Sequence, residues 1–379
     1  MHILLLTDSY PNAYLEGQGI FVRDQALALA SARHRVGVVA LVPVSLKDIF
    51  RKGLTDLGTI HRSDVGVEVM GQCYMQIPRW YGYPIRRSLS LGRTEVVRYI
   101  ESNGTPDVLH VHGFHAAKLA AWVKEKYHIP VIVTEHNSRF LSGAIDAYRL
   151  EVALSFYRSA DARIAVSESF SKKLQQLSGV SFQVVPNAVD MSMFQIKEGN
   201  ARNVFLSVGN FTENKNQQLQ LEAFHKVLLS MPNAELWLAG DGPCLDRCKA
   251  LAKELCIESR VKFLGRITRE KVIEVLGLSR AFLITSNHET FGVVAIEALA
   301  CGVPVISTRC GGPEEILGEH GRWIESTPES LAQAMLSEYG SNRHVPSNEL
   351  RTYCEQRFSY ASVAAQLAKV YSQLVGKAS

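Results

Sequence analysis

The chain has 379 residues, which is more than one hydrophobic core usually holds and suits two domains. Its composition, 46% hydrophobic and 21% charged, is typical of an ordinary globular protein, and a net charge of +4 is too small to indicate a nucleic-acid partner. The seven cysteines include no C-x-x-C pair, which argues against both a disulfide framework and a zinc site.

Short β-branched apolar runs alternate with helical patterns along the chain, in two series. The first series lies at 3–6, 36–42, 108–111, 131–134, 162–166 and 182–185. The second series lies at 204–208, 236–239, 261–264, 282–285 and 303–307. This alternation predicts parallel βαβ units, and hence an α/β protein with two doubly wound domains. A polar, proline-bounded segment at 186–203 is the expected linker, so the N-terminal domain is expected to span 1–186.

The N-terminal apolar run is too short for a signal peptide, and no apolar run is long enough to cross a bilayer. We therefore expect a cytoplasmic protein with reduced cysteines. Gly17 and Gly19 follow the first run, as in a dinucleotide-binding fingerprint. Val22 stands where the third glycine of that fingerprint belongs, which argues against a nicotinamide-dependent oxidoreductase.

A basic and aromatic stretch spans residues 79–98 and contains a single acid, Glu95. Its basic and aromatic members are Arg79, Trp80, Tyr81, Tyr83, Arg86, Arg87, Arg93 and Arg98. Such a stretch is either a solvated helix or a surface that docks on anionic lipid. The interleaved aromatic residues favour peripheral contact with an anionic membrane.

Histidines follow the third and fourth apolar runs. His110 and His112 end the third run, and Glu135 and His136 end the fourth. Ligands of doubly wound sheets bind at the carboxyl ends of the strands, so these side chains are expected at a binding edge. A histidine at the end of a strand is more often a structural residue than a catalytic one, and the residues alone leave both roles open.

The segment 281–302 predicts a buried strand, a polar loop and an alanine-rich helix in that order. Free backbone N–H groups near Phe291, Gly292 and Val293 and the positive end of the helix dipole predict an anion site. Glu289 precedes this site and Glu297 follows it. Carboxylates accept hydrogen bonds from hydroxyl pairs, so a nucleoside-diphosphate sugar fits, although two glutamates at this spacing also occur on ordinary surface helices.

The run E-T-F-G-V-V-A-I-E-A-L-A-C-G-V-P closely resembles the E-x7-E donor-binding segment of the retaining glycosyltransferase family 4. The matching residues are Glu289, Phe291, Gly292, Glu297, Ala298, Cys301, Gly302 and Pro304. The resemblance implies the GT-B fold, in which two Rossmann-like domains face a cleft. It also implies that a C-terminal helix, 358–379 here, returns to the acceptor-side N-terminal domain, which leaves 187–357 as the nucleotide-sugar-binding domain.

The resemblance also implies roles for individual residues. The donor-binding residues are expected to be Gly17, Gly19, Asn210, Lys215, Arg266, Glu289, Thr290, Phe291, Gly292, Val293 and Glu297. Glu297 is expected to bind the ribose and Glu289 the hexose, and Lys215 is expected to neutralise the diphosphate. His112, Glu289 and Lys215 are the expected catalytic residues, and Glu135 and His136 are candidates on the acceptor side. One departure stands out, because Asn210 occupies the position of an arginine that usually assists the lysine.

The sequence therefore predicts a retaining glycosyltransferase that moves a hexosyl group from a UDP- or GDP-sugar to a hydroxyl of a glycan or lipid-linked acceptor. The expected pathway is bacterial surface polysaccharide or lipopolysaccharide synthesis, on the inner face of the cell membrane. No D-x-D pair occurs, so no metal or other cofactor is expected. Two alternatives stay open at this point: a GT-B sugar-nucleotide 2-epimerase, and a non-catalytic protein that binds nucleotide sugars.

Overall fold

The computed structural model describes residues 1–12, 17–46, 49–50, 57–76, 83–197, 203–338 and 345–378. The chain divides into two compact units. Unit 1 comprises Met1–Ala188 together with Tyr360–Ser379, and unit 2 comprises Val189–Ser359.

Unit 1 contains an eight-stranded sheet with the strand order β3-β4-β2-β1-β5-β6-β7-β8. Its strands are β1 His2–Thr7, β2 Arg35–Ser45, β3 Gly58–Asp64, β4 Val67–Gln76, β5 Val108–His112, β6 Val131–Glu135, β7 Ala162–Ala165 and β8 Gln183–Val184. All neighbouring strands are parallel except β3 and β4, which form an antiparallel hairpin at the edge. The chain reverses its direction of winding between β1 and β5, which are the two central strands.

The helices of unit 1 follow its strands and end with the last helix of the chain. They are α1 Ile20–Ser31, α2 Tyr83–Asn103, α3 Ala117–Tyr127, α4 Arg139–Ser142, α5 Ala147–Ser159, α6 Glu168–Ser178 and α14 Tyr360–Ala378. Val363, Leu367 and Val370 of α14 are buried in one cluster with Val22 and Ala26 of α1. The predicted return of the C-terminal helix to the first domain is confirmed.

Unit 2 contains a six-stranded sheet with the strand order β11-β10-β9-β12-β13-β14. Its strands are β9 Val204–Val208, β10 Glu235–Ala239, β11 Val261–Gly265, β12 Ala281–Ile284, β13 Val305–Thr308 and β14 Arg322–Ile324. Neighbouring strands are parallel throughout. The winding reverses between β9 and β12, and this is the point at which a doubly wound sheet opens a crevice for a ligand.

The helices of unit 2 alternate with its strands. They are α7 Gln217–Leu228, α8 Leu245–Glu254, α9 Arg269–Gly277, α10 Val293–Ala300, α11 Gly312–Leu317, α12 Pro328–Ser337 and α13 Ser347–Phe358. Phe205, Phe224 and Leu283 are fully or almost fully buried in the main cluster of this unit. Because both faces of a parallel sheet are covered by helices, its strands are apolar runs rather than alternating patterns.

The predicted fold class, α/β with two Rossmann-like sheets, is confirmed, and every predicted apolar run coincides with a strand. The sequence interpretation missed three strands: the hairpin β3–β4 and the short β14. Residues of β3 are mostly exposed or half-buried, so this strand lacks the apolar run that identified the others. Among the described helices, none combines the length and apolar character that crossing a bilayer requires.

Candidate active site

In unit 2, the loops that follow β9 and β12 are bonded to each other at the point where the winding reverses. The Asn214 side chain accepts a hydrogen bond from the His288 amide at 3.1 Å and donates one to the His288 carbonyl at 2.9 Å. The Thr285 hydroxyl donates to the Lys215 carbonyl at 2.9 Å and accepts a bond from Gln220 at 2.8 Å. These polar contacts fix Lys215 on one loop against Glu289 on the other.

The Lys215 ammonium group contacts the Glu289 carboxylate directly. The same carboxylate oxygen accepts a hydrogen bond from the Ser286 hydroxyl at 2.7 Å. The side chains of Lys215 and Glu289 are 32% and 13% exposed, so the pair is partly buried yet open to a ligand. The sequence placed these two residues in one donor site, and the structure brings them together.

The Glu289 backbone joins the loop that precedes α11. Its N–H donates to the Cys310 carbonyl at 2.7 Å, and its carbonyl accepts from the Gly312 N–H at 2.9 Å. A Cβ on Gly312 would lie 2.4 Å from the Cα of Phe291, so only glycine permits this approach. Phe291 is buried, with its ring edge-on to Phe358 at 6.0 Å. The loop that carries Glu289 is therefore held by both backbone bonds and packing.

The helix α10 begins directly after this loop. Gly292 is its N-cap with φ 106° and ψ 64°, a left-handed conformation that favours glycine. The first N–H groups of any α-helix have no partner within the helix, and the dipole places partial positive charge there. Thr290, Phe291, Gly292 and Val293 lie at this helix start as predicted, and their contact with a diphosphate stays a prediction.

Glu297 lies in the middle of α10 and is 5% exposed. Its carboxylate is paired with the guanidinium of Arg269, whose Nη2 lies 3.4 Å from Oε1. The Arg269 guanidinium also lies over the ring of Phe194, 5.1 Å from its centroid. Burial raises the pKa of the neighbouring Cys301 to about 12, and the negative charge of Glu297 adds to this shift. The sequence interpretation missed Arg269, because no local pattern links it to Glu297.

Two further predicted donor residues lie at the ends of β9 and β11. Asn210 is exposed, and its backbone carbonyl accepts a hydrogen bond from the Gln217 side chain at 3.1 Å. Arg266 follows the edge strand β11, and its Nε lies 3.6 Å from a carboxylate oxygen of Asp241. The Arg266 side chain is 51% exposed and the Asp241 side chain is 41% exposed. Roles of Asn210 and Arg266 in donor binding stay predictions.

In unit 1, three histidines form a stacked cluster at the carboxyl ends of β5 and β6. Nδ1 of His112 lies 3.1 Å from Nε2 of His136, and His110 stacks on His112 with ring centroids 4.6 Å apart. The two ring nitrogens of His110 are bonded to hydroxyls of Thr134 and of Tyr371 on α14, both at 2.7 Å. Since β5 and β6 are neighbours, the sheet places the predicted His112 and His136 side by side.

Burial makes these imidazoles neutral. It lowers the pKa of His112 to about 3 and the pKa values of His110 and His136 well below their usual range. Nε2 of His112 is buried and has no hydrogen-bond partner in the part of the chain that the structure describes. A buried polar atom without a partner is costly, so this nitrogen is well suited to a hydroxyl of a ligand.

Glu135 lies beside this cluster and is almost completely buried. Its carboxylate accepts hydrogen bonds from the amides of His136 and Asn137, at 2.8 and 2.9 Å, and from the Tyr157 hydroxyl at 2.6 Å. Burial is the main influence and raises the pKa of Glu135, against the opposing effect of these bonds. The contacts show that Glu135 organises its own loop, and its role toward an acceptor stays a prediction.

Gly19 is the N-cap of α1 with φ 72°. A Cβ at this position would lie 2.1 Å from the Ser9 carbonyl oxygen, so the loop after β1 requires glycine there. Gly17 is exposed two residues earlier. Their contact with a donor stays a prediction. The described residues contain no cluster of three or more histidine, cysteine, aspartate or glutamate side chains that fits a metal ion.

Comparison with known proteins agrees with this geometry. The family described as Glycosyltransferase Family 4 matches residues 15–193, and the family described as Glycosyl transferases group 1 matches residues 190–354. The chain is 31% identical over 230 residues to N-acetyl-alpha-D-glucosaminyl L-malate synthase of Bacillus anthracis, an alignment that covers 57% of this chain and 59% of that protein. It is 26% identical over 366 residues to the putative teichuronic acid biosynthesis glycosyltransferase TuaC of Bacillus subtilis, covering 88% of each.

Solved structures share the fold over the whole chain. Sucrose-phosphate synthase of Thermosynechococcus elongatus has a TM-score of 0.79 at 20% identity and covers 100% of both chains. HepE of Anabaena, in complex with UDP and glucose, has a TM-score of 0.74 at 19% identity and covers 98% of this chain and 99% of that one. At these identities the likeness shows the fold, which is GT-B.

The fold and the matched families together define an enzyme that transfers a sugar from a nucleotide sugar. The two family matches together span residues 15–354, and the chain belongs to the group 1, family 4 glycosyltransferases, which are retaining enzymes of the GT-B fold. The predicted family and enzyme class are confirmed.

Proposed function

We propose that the protein transfers a hexosyl group from a UDP- or GDP-sugar to a hydroxyl of a bacterial surface glycan or of its lipid-linked precursor. The observation that carries the donor part is the contact between Lys215 and Glu289 where the winding of the second sheet reverses. UDP is the first nucleotide to test, because the similar HepE structure is described in complex with UDP and glucose.

The donor diphosphate binds at the start of α10, next to Lys215. Backbone N–H groups at Gly292 and Val293 and the ammonium group stabilise the negative charge that grows on the leaving diphosphate. Because these groups are fixed before the donor arrives, little reorganisation accompanies the reaction. No metal is required in this scheme, since the helix dipole and Lys215 supply the positive charge.

Transfer proceeds on one face of the sugar. The bond between the anomeric carbon and the diphosphate oxygen breaks, and the acceptor oxygen forms its bond from the same side. The proton of the acceptor hydroxyl passes to an oxygen of the leaving phosphate. This course is the one that the family resemblance implies for a retaining enzyme, and it needs no side chain as a covalent nucleophile.

Glu289 and His112 bind hydroxyl groups in this proposal. The carboxylate of Glu289 is oriented by Ser286 and Lys215 and has further lone pairs that accept from hexose hydroxyls. In unit 1, Nε2 of the neutral His112 bonds a hydroxyl of the substrate. His136 fixes the ring of His112 through the bond at Nδ1.

The acceptor assignment is supported by the name of one relative, a putative teichuronic acid biosynthesis glycosyltransferase. The basic stretch at 79–98 also suits an enzyme that reaches a lipid-linked acceptor at the inner face of the membrane. The proposed location is therefore cytoplasmic and peripheral to that membrane.

A thermal-shift screen over UDP-, GDP- and ADP-sugars tests the proposal. A donor at a hundred times its Kd adds about 2.7 kcal/mol to the stability of the folded state. The donor that shifts melting is then incubated with the protein, with and without surface-glycan acceptors. Transfer with the anomeric configuration kept supports the proposal. Epimerised sugar from donor alone would indicate the 2-epimerase, and the absence of any shift would overturn the proposed donor.

A further inference from the structure

Arg269 forms a buried ion pair with Glu297 in unit 2. The side chains of these residues are 9% and 7% exposed, and Nη2 lies 3.4 Å from Oε1. The pair joins two elements that are well separated in sequence, because Arg269 begins α9 and Glu297 lies in α10. A charged pair that is this well buried has exchanged most of its hydration for protein contacts.

Local structure fixes the position of Arg269. Thr268 is the N-cap of α9, and its hydroxyl accepts a hydrogen bond from the Lys271 amide at 3.4 Å. The guanidinium lies over the Phe194 ring at 5.1 Å, and Phe194 itself is fully buried. The planar guanidinium is therefore held on one side by an aromatic face and presents its N–H groups to the carboxylate.

The proposed function gives Glu297 a demanding task. Its carboxylate has to accept hydrogen bonds from ribose hydroxyls while the diphosphate of the same ligand brings negative charge to the start of α10. A carboxylate accepts two hydroxyls well only when its plane is fixed. A cation that contacts one of its oxygens fixes this plane and reduces the repulsion between the carboxylate and the diphosphate.

We propose that Arg269 is a positioning residue for ribose recognition, which orients the Glu297 carboxylate toward the vicinal hydroxyls of the donor ribose. This inference rests on the proposed nucleotide-sugar function. Arg269 does not itself need to touch the ligand, and it acts through Glu297. The alternative is a purely structural ion pair that links α9 to α10.

The test compares two ligands that differ by one hydroxyl. Isothermal titration calorimetry gives the Kd of UDP and of 2′-deoxy-UDP for wild type, and the GDP and ADP pairs serve in the same way if UDP does not bind. Wild type is expected to bind the ribose ligand at least about tenfold more tightly. In Arg269→Gln this ratio is expected to fall to about twofold or less, because the carboxylate is no longer held in place.

Arg322→Gln is the matched control. Arg322 also contacts a buried glutamate, Glu338, at 3.4 Å, but it lies on β14 rather than beside α10. A general loss of packing in unit 2 weakens the binding of UDP and of 2′-deoxy-UDP equally, so the ratio of their Kd values stays the same. We expect this result for Arg322→Gln. Arg269→Lys keeps the charge without the planar fork and is expected to give an intermediate ratio, so it replaces Arg269→Gln if that variant does not fold.

The outcomes separate this inference from the proposed function. A wild type that binds none of the nucleoside diphosphates removes the proposed donor. A wild type that binds them without discriminating against the deoxy ligand removes Glu297 from the ribose. If wild type and Arg269→Gln prefer the ribose ligand over the deoxy ligand to the same degree, the positioning role of Arg269 is overturned. The proposed donor and the role of Glu297 are then unaffected.

Discussion

The two units carry different chemistry at the carboxyl ends of their sheets. Unit 1 presents three stacked histidines, all neutral because burial lowers their pKa values. Unit 2 presents two pairs of opposite charge, Lys215 with Glu289 and Arg269 with Glu297. The same doubly wound arrangement thus holds buried, neutral imidazoles in one unit and ion pairs in the other.

This difference matches the parts of the proposed substrate. Neutral imidazoles exchange hydrogen bonds with hydroxyls without attracting or repelling a diphosphate. In unit 2, Lys215 supplies a cation for the proposed diphosphate, and the carboxylates of both ion pairs accept hydrogen bonds from hydroxyls. The four predictions below test this division, from the largest expected effect to the smallest.

Lys215→Ala should have the largest effect, because it removes the cation from the diphosphate and leaves the Glu289 carboxylate without it. We expect kcat/KM to fall on the order of a hundredfold or more. Lys226→Ala is the control, since Lys226 forms an exposed pair with Glu329 at 3.0 Å, and its loss should leave kcat/KM within about twofold. A loss below about tenfold for Lys215→Ala, roughly 1.4 kcal/mol, would mean that another cation carries the diphosphate, and Arg266 is the next to test.

Glu297→Gln should weaken binding of the nucleoside diphosphate by on the order of 1.5 to 3 kcal/mol, through the loss of charge-assisted bonds to ribose. The shape of the side chain is retained, so the loss reports on charge. Calorimetry with the cognate nucleoside diphosphate measures it, and Glu338→Gln, a buried glutamate elsewhere in unit 2, is the control. Equal affinity in Glu297→Gln and wild type would remove Glu297 from the ribose site.

The neutral histidines of unit 1 should make stability depend on pH. The pKa of His112 is about 3 in the folded state against about 6.5 when unfolded, so the unfolded state binds the proton first as the pH falls. The folded state therefore loses stability below about pH 6.5. His112 alone should contribute a loss of about 2 kcal/mol between pH 7 and pH 5.

Urea unfolding at pH 7 and pH 5 measures this loss. His112→Asn removes the titrating ring and should reduce the difference between the two pH values by about 2 kcal/mol. His61→Asn is the control for replacing a histidine in the same unit, because that side chain is 67% exposed rather than buried. An unchanged pH difference in His112→Asn would show that this imidazole is not kept neutral by folding.

The sequence predicted the fold well where a strand is an apolar run, as in β1 and β12. It failed at the hairpin β3–β4, where the edge strand β3 is mostly exposed and its turn depends on Val65 and Gly66 in left-handed conformations. An exposed edge strand has no apolar run, and turn conformation is only weakly encoded by a Val-Gly dipeptide.

The part of the candidate site that lies in loops directly after predicted strands could be predicted from the sequence. Glu289, Glu297 and Lys215 could be proposed because a recognisable segment and its spacing carry them, and their roles stay predictions. Arg269 was not found, because its contact with Glu297 joins separate helices and depends on tertiary packing. The pairing of His112 with His136 was within reach, since β5 and β6 were both predicted and neighbouring parallel strands bring their ends together.

The basic stretch of unit 1 gives the smallest expected effect per residue. Arg79, Trp80 and Tyr81 lie outside the described residues, and the other basic and aromatic members of the stretch lie on α2. Two of its arginines have partners within the protein: Arg93 lies over the Trp122 ring at 5.1 Å, and Arg98 bonds Glu95 at 3.0 Å. Fewer than the five arginines counted from the sequence are therefore available for the proposed contact with anionic lipid.

We predict that the protein floats with anionic liposomes at low salt, and that Arg86→Glu with Arg87→Glu abolishes this. Each basic side chain near anionic lipid contributes about 1 kcal/mol, which weakens as salt screens the charges. Lys172→Glu with Lys173→Glu on α6 of the same unit makes the same change in net charge and should still float. Nucleotide binding should persist in both double variants, because the proposed donor site lies in unit 2. If wild type fails to float, the protein makes no contact with anionic lipid. If both pairs of substitutions abolish flotation, net charge alone explains the binding. In either case α2 is a solvated helix.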